Sequence, residues 1–138
     1  MDTRYQGSPV PVTVHELSRS KVSDGKSVTV TVPENTTVTA GEWILLDGFF
    51  GLAMQSAATG AGETKDIVLT IEQAEYETDQ IDTLQTFAMG TEIYWDGTKF
   101  TESADDGAAT PVPYRKVGRV TNGKDAKNVI WFLLGPQA

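Results

Sequence analysis

The apolar positions of this chain come in short runs separated by turn residues, and the densest part of the pattern is AGEWILLDGFFGLAMQSAATGAGE, residues 40–63. Two aromatic-rich apolar runs, 43–46 and 49–54, are joined there by Asp47-Gly48. Asp-Gly between such runs predicts a tight β-hairpin, because both central residues of a type I′ turn need φ > 0 and Gly takes that freely while Asp tolerates it. Each arm is too short for an independent helix and suits a strand. The glycine-rich residues 57–62 are expected to carry the chain out of the hairpin as a flexible loop. On either side lie two strictly alternating segments. SVTVTV at 27–32 predicts a strand with Val28, Val30 and Val32 on one face, and DIVLTIE at 66–72 a second with Ile67, Leu69 and Ile71 on one face.

The second half repeats the design. EIYW at 92–95, Asp96-Gly97 and residues 98–101 predict a second hairpin like the first. KVGRVT at 116–121 reads as a strand in which Gly118 marks a bulge or a close backbone approach. NVIWFLL at 128–134 is nearly continuous in apolar residues and predicts a strand buried on both faces. Residues 73–90 are acidic and admit two readings. One is a short helix over 79–88, with Ile81, Leu84 and Ala88 at helical spacing. The other, preferred, is a strand near 74–78 followed by a loop. At the start, Pro9-Val10-Pro11-Val12-Thr13-Val14 reads as an extended arm or edge strand, since Pro cannot donate to a ladder. The pattern therefore predicts an all-β fold, a small antiparallel β-barrel or sandwich built from short hairpins with at most one short helix. An extended N-terminal arm occupies residues 1–26, and a barrel-like domain residues 27–138.

Charge sharpens this picture. The 138 residues carry a net charge of −8, and its placement is uneven. Residues 1–27 sum to +1, residues 28–114 to −13 and residues 115–138 to +4. A body this acidic repels phosphate backbones, which argues against nucleic-acid binding. The basic residues Arg115, Lys116, Arg119, Lys124 and Lys127 either form a small patch or balance the acidic middle within the fold or across a subunit contact. No run approaches the ~18 apolar residues of a membrane span, and the first residues lack the layout of a signal peptide, so a soluble protein made in the cytoplasm is expected.

The residue types that carry chemistry are sparse. There is no Cys and one His, His15 in the arm, so no thiolate nucleophile exists and a zinc site would need mainly carboxylates. The loop GAGETK at 60–65 lacks the Gly-Lys-Ser/Thr order of a phosphate loop, and no Gly-x-Ser-x-Gly elbow occurs. Asp105-Asp106 and the acidic group at 72–82 lack calcium-loop spacing. No catalytic residue, metal site or cofactor is expected. What remains is contact. Alternation puts the members of each pair Phe49/Phe50, Tyr94/Trp95 and Trp131/Phe132 on opposite faces, leaving one of each outside the core. Exposed groups of this kind often mark interfaces. The interface candidates are Val10, Val12, Val14, Phe49, Phe50, Tyr94, Trp95, Arg115 and Arg119.

The segments VTVTVPENTTVTAGEWILLDGFFGLA, DIVLTIEQ, GTEIYWDGTKFTES, VGRVTN and NVIWFLL, taken in order, resemble the small capsid cement, or decoration, proteins of tailed bacteriophages. That family was long catalogued as a domain of unknown function and is found beside major capsid protein genes. The resemblance spans about residues 27–134; the arm is longer than the family pattern and residues 73–90 are more acidic. It implies a compact β-barrel-like fold, a place on the outer surface of the virion, the major capsid protein as partner, and a homotrimer at three-fold or quasi-three-fold positions. Two other functions stay open at this point. A glycan- or receptor-binding module would show a shallow aromatic patch flanked by Asp or Asn. A small hydrolase would show two carboxylates converging in a pocket near 72–82.

Overall fold

A computed structural model describes residues 20–137, and Val10, Val12, Val14 and His15 lie outside the described residues. Eleven strands are present among those described: β1 (Ser27–Val32), β2 (Thr37–Val38), β3 (Trp43–Leu46), β4 (Phe49–Ala53), β5 (Ala57–Ala58), β6 (Lys65–Thr70), β7 (Glu75–Thr78), β8 (Glu92–Trp95), β9 (Phe100–Thr101), β10 (Arg115–Asn122) and β11 (Ile130–Leu134). They build an all-β fold of two curled antiparallel half-barrel sheets, in the orders β1-β6-β4-β3 and β7-β11-β10-β8-β9, with β2 and β5 forming a separate pair. The fold class is as the pattern predicts.

The hairpin at residues 43–53 divides the interior. Asp47 and Gly48 take φ of 52° and 83°, the backbone of a type I′ turn, and Leu46 pairs with Phe49 across it. From this hairpin Trp43 and Phe50 join a large core with Phe87, Trp95, Phe100, Phe132 and the aliphatic residues of the five-stranded sheet. Its other face sends Ile44, Leu46, Phe49 and Ala53 into a second core with Val30, Val32, Val38, Ile67 and Leu69. Both faces of the hairpin therefore contribute to a core, with Leu45 alone exposed on β3, and its two arms are almost unbroken apolar runs. The predicted one-sided faces of β1 and β6 both turn into the second core, with Val30, Val32, Ile67 and Leu69 buried and Val28 and Ile71 packed beside them. Around the curl of this sheet, the carboxylate Oδ2 of Asp47 accepts from the Thr31 N–H at 2.7 Å, stitching the hairpin turn to β1.

Five expectations are corrected or decided. β11 is not buried on both faces: Ile130, Phe132 and Leu134 point inward, while Trp131 and Leu133 are 46% and 49% exposed. An antiparallel strand needs only one covered face, and the outer face of this sheet carries no layer among the described residues. The second hairpin is not a copy of the first. Trp95 pairs with Phe100, leaving a four-residue loop in which the Asp96 carboxylate accepts from the N–H groups of Thr98 and Lys99, each at 2.9 Å. The Asp96 N–H still donates to the Lys99 carbonyl at 3.1 Å, and the side chain takes the place of the backbone acceptor for the Lys99 N–H. The glycine-rich segment after the first hairpin is paired instead of loose. Ala57 and Ala58 bond to Val38 and Thr37, and Glu63 and Glu34 accept from the N–H groups of Gly60 and Gly62. Residues 75–78 form a strand and residues 79–88 no helix, in line with the preferred reading. Gly118 sits at a bulge, and a Cβ there would lie 2.3 Å from the carbonyl oxygen of Leu133, so both parts of its reading hold.

Two glutamine amides join the halves of the molecule. Gln80 accepts from the Trp43 N–H at 2.8 Å and donates to the Trp43 carbonyl at 3.0 Å. Gln137 does the same for Phe50, at 3.0 and 2.9 Å. Trp43 and Phe50 are the two aromatics that the four-stranded sheet contributes to the large core. Each thus has its side chain packed against the opposite sheet and its backbone hydrogen-bonded from outside its own sheet. Without those amides two donors and two acceptors would be left without partners beside an apolar core, at a cost of about 1–3 kcal/mol per group.

Candidate interaction surface

The outer face of the five-stranded sheet departs from an ordinary polar surface. Trp131 and Leu133 stand side by side on its central region, two residues apart on β11. On one flank, the register of β7 sets Glu77 opposite Trp131 and Glu75 opposite Leu133. On the other, β10 sets Asn122 and Arg119 opposite the same two residues. Glu75, Tyr76, Glu77 and Trp131 line a shallow hollow of about 270 Å³. A second, more apolar groove of about 460 Å³ runs between Lys116, Arg119, Leu133 and Pro136. The result is an apolar centre with a charged rim, the anatomy of a protein contact.

Charges on this face are held in place by one carboxylate. Lys116 and Arg119 both pair with Glu92, and Arg119 also donates to the Gly90 carbonyl at 2.8 Å. The hydrogen bond and charge of Lys116, with the charge of Arg119, hold the Glu92 carboxyl below its ordinary range. Arg115 lies elsewhere in function: its guanidinium donates to the carbonyl of Gly48 and to the side chain of Gln137, tying the hairpin turn to the last described residues. Lys124 donates to the carbonyl of Thr83. Four of the five basic residues at the C-terminal end are thus engaged within the fold, but only Lys116 and Arg119 pair there with a carboxylate; Arg115 and Lys124 bond neutral groups. Near β7, burial raises the Tyr76 hydroxyl above its ordinary value, helped by the charge of Glu72, whose carbonyl accepts from that hydroxyl at 2.8 Å.

The structure sorts the interface candidates. Phe50 and Trp95 are 1% and 4% exposed and belong to the large core; as inward members of their pairs they present nothing to a partner, and their place in the candidate set is corrected. Phe49 is half-buried against the second core. Tyr94 is half-buried on β8, and Arg119 is exposed beside Leu133. Trp131 and Leu133 were missed as candidates. The signal that finds them is alternation itself: in NVIWFLL, every second residue must face away from whichever side holds Phe132. Among the described residues, no three His, Cys, Asp or Glu side chains converge as metal ligands. Glu42, Glu77 and Asp79 line an open hollow of about 350 Å³ alongside Gln80, whose amide is already committed to the Trp43 backbone.

These features define a small all-β domain whose distinctive surface is suited to adhesion. A family model described as "Phage cement protein" matches residues 22–134, and the chain belongs to that family. It is a structural protein of the phage virion, associated with the capsid. No curated protein and no solved structure matches the chain.

Proposed function

We propose that this protein decorates the outer surface of an assembled phage capsid and stabilises the shell by bridging neighbouring capsid subunits, acting as a homotrimer. The observation that carries the reading is family membership across residues 22–134 joined to the rimmed apolar face at Trp131 and Leu133. A protein that binds only the assembled state favours that state by RT ln(1 + [L]/Kd), so many weakly bound copies add up over a symmetric lattice. Binding of this kind needs no bond-making centre. The N-terminal arm of residues 1–26, with Val10, Val12 and Val14, is a further contact element in this reading, and residues 27–138 are the folded body.

The test is add-back. Purified protein is mixed with expanded capsids that lack it, bound protein is measured by sedimentation, and capsid disruption is followed by calorimetry. Co-sedimentation and a higher disruption temperature are expected; the absence of both sinks the proposal. Trp131→Ala should lower occupancy at least tenfold, since buried Trp anchors are typically worth 2 kcal/mol or more. Its effect on the stability of the free chain should stay within about 0.5 kcal/mol. One observation favours a second reading, a glycan- or receptor-binding virion module: Trp131 is flanked by Glu75, Glu77 and Asn122 above a shallow hollow. Binding on a glycan array that is lost in Trp131→Ala, with no capsid binding, would select it.

A further inference from the structure

We infer that the apolar face around Trp131 takes an arginine side chain of the protein it docks on, the guanidinium stacking on the indole beside the carboxylates of Glu75 and Glu77. The inference rests on the reading of this face as the contact surface and names the chemistry that the partner brings to it. On β7, Glu75 and Glu77 are exposed while Thr78 is buried, so both carboxylates stand on the outer face with Trp131 and Leu133. The register sets Glu77 directly opposite Trp131 and Glu75 opposite Leu133, and side chains so paired are within reach of one another. Thr121 on β10 donates its hydroxyl to Glu75, which draws that carboxylate over β11, the strand between them.

The two flanks of the face differ in charge. On the β10 side, Glu92 is met by both Lys116 and Arg119, so that carboxylate is already neutralised and the guanidinium of Arg119 is committed. On the β7 side, no ion pair to Glu75 or Glu77 is present among the described residues. The acidic band continues beyond Trp131, since Glu77 also borders the hollow that holds Glu42 and Asp79. A partner that covers Trp131 takes water away from two carboxylates, which costs free energy unless positive charge arrives in return. The half-exposed indole adds its own attraction for a cation lying over its ring.

Of the two cationic side chains, arginine has the matching shape. Its guanidinium is planar and weakly hydrated, stacks on an aromatic ring, and presents a fork of N–H donors to carboxylates at its edge. The ammonium of lysine is a compact, strongly hydrated charge and loses more when water is excluded. The hollow of about 270 Å³ lined by Glu75, Tyr76, Glu77 and Trp131 is shallow and open. It suits the end of one side chain reaching in from a neighbouring surface.

The test titrates the full chain, free in solution, with the peptide acetyl-Arg-Gly-Arg-amide and with its citrulline and lysine counterparts, following the indole N–H signal of Trp131 by NMR. The arginine peptide should shift that signal saturably at millimolar concentration, and the neutral citrulline peptide should not. Glu77→Gln should weaken binding about two- to fivefold, the range of an exposed ion pair, and the double variant Glu75→Gln/Glu77→Gln should weaken it further. Both glutamines are isosteric, and the one at 75 still offers Thr121 an acceptor. Asp66→Asn removes the same charge from the four-stranded sheet and should change nothing. No saturable shift, an equal shift from citrulline, equal binding of the lysine peptide, or an equal loss in Asp66→Asn overturns the inference. Capsid add-back separates the two readings. A wild type that binds the arginine peptide but no capsid sinks the capsid proposal and leaves the arginine site standing; capsid binding unchanged in the double variant sinks the arginine site alone.

Discussion

The two cores are built from different material. The one beneath the five-stranded sheet is a cluster of rings: Trp43, Phe50, Phe100 and Phe132 lie with centroids 4.8 to 5.8 Å apart, mostly edge-to-face or tilted. The one inside the four-stranded sheet is made of Val, Ile, Leu and Ala, with Phe49 only at its margin. Rings fill a wide space between two sheets, and each pair adds about 0.5–1.5 kcal/mol beyond area burial. Branched aliphatic side chains fill the interior of the four-stranded sheet, and a single ring, Phe49, packs against its margin. The hairpin at residues 43–53 touches both, so neither core can open without disturbing the strands that wall the other.

Four measurements break or sharpen that contrast. Phe100 contacts four other rings and is wholly buried, so Phe100→Ala should cost about 3–5 kcal/mol in denaturant unfolding. Both halves should unfold together, because Trp43 and Phe50 belong to one sheet and pack against the other. If methyl signals of the aliphatic core persist after the aromatic near-ultraviolet dichroism is gone, the two cores are independent. Gln80→Ala should cost about 1–3 kcal/mol, mostly from the stranded backbone groups of Trp43, and should separate the two transitions where wild type shows one. Ile67→Val, by contrast, should cost only about 0.5–1.5 kcal/mol, read from the shift of the denaturant midpoint.

The smallest effect comes from acid. Three carboxyls are held below their ordinary values: Glu92 by Lys116 first, Asp96 by turn N–H groups that outweigh its burial, and Asp106 by the N–H groups of Ala108 and Val112. In each, the unfolded chain binds its proton at higher pH than the folded one. The stability they contribute is therefore present above the ordinary carboxylate range, about pH 4, and is lost as pH falls through their lower folded values. All three flank the five-stranded sheet or its loops, so acid should loosen the aromatic half first. Exchange rates that rise equally in both halves between pH 4 and pH 2 would contradict this.

How much of this was legible depended on the distance over which each feature is set. Val28, Val30 and Val32 and their partners Ile67 and Leu69 were readable because one covered face leaves a period of two in the residues themselves. Asp47-Gly48 was readable because a tight turn is decided by two adjacent backbones. Asp96-Gly97 misled because the Asp carboxylate shares that turn with the backbone, taking the N–H groups of Thr98 and Lys99. The β3–β4 hairpin and β11 are alike as strings of apolar letters, yet one is covered twice and the other once; only the packing of the whole distinguishes them. The glutamine clamps join residues 37 and 87 positions apart and leave no local trace. Trp131 was missed by the same confusion that misread its strand.

Trp131 has one further consequence. Of the three tryptophans, Trp43 and Trp95 are 3% and 4% exposed, while Trp131 stands 46% open to water. The molecule therefore carries a native optical reporter on its candidate contact face. Acrylamide should quench one indole readily and leave two nearly untouched. A blue shift in that quenchable emission, appearing as the face is covered, would let adhesion be watched in real time without attaching any label.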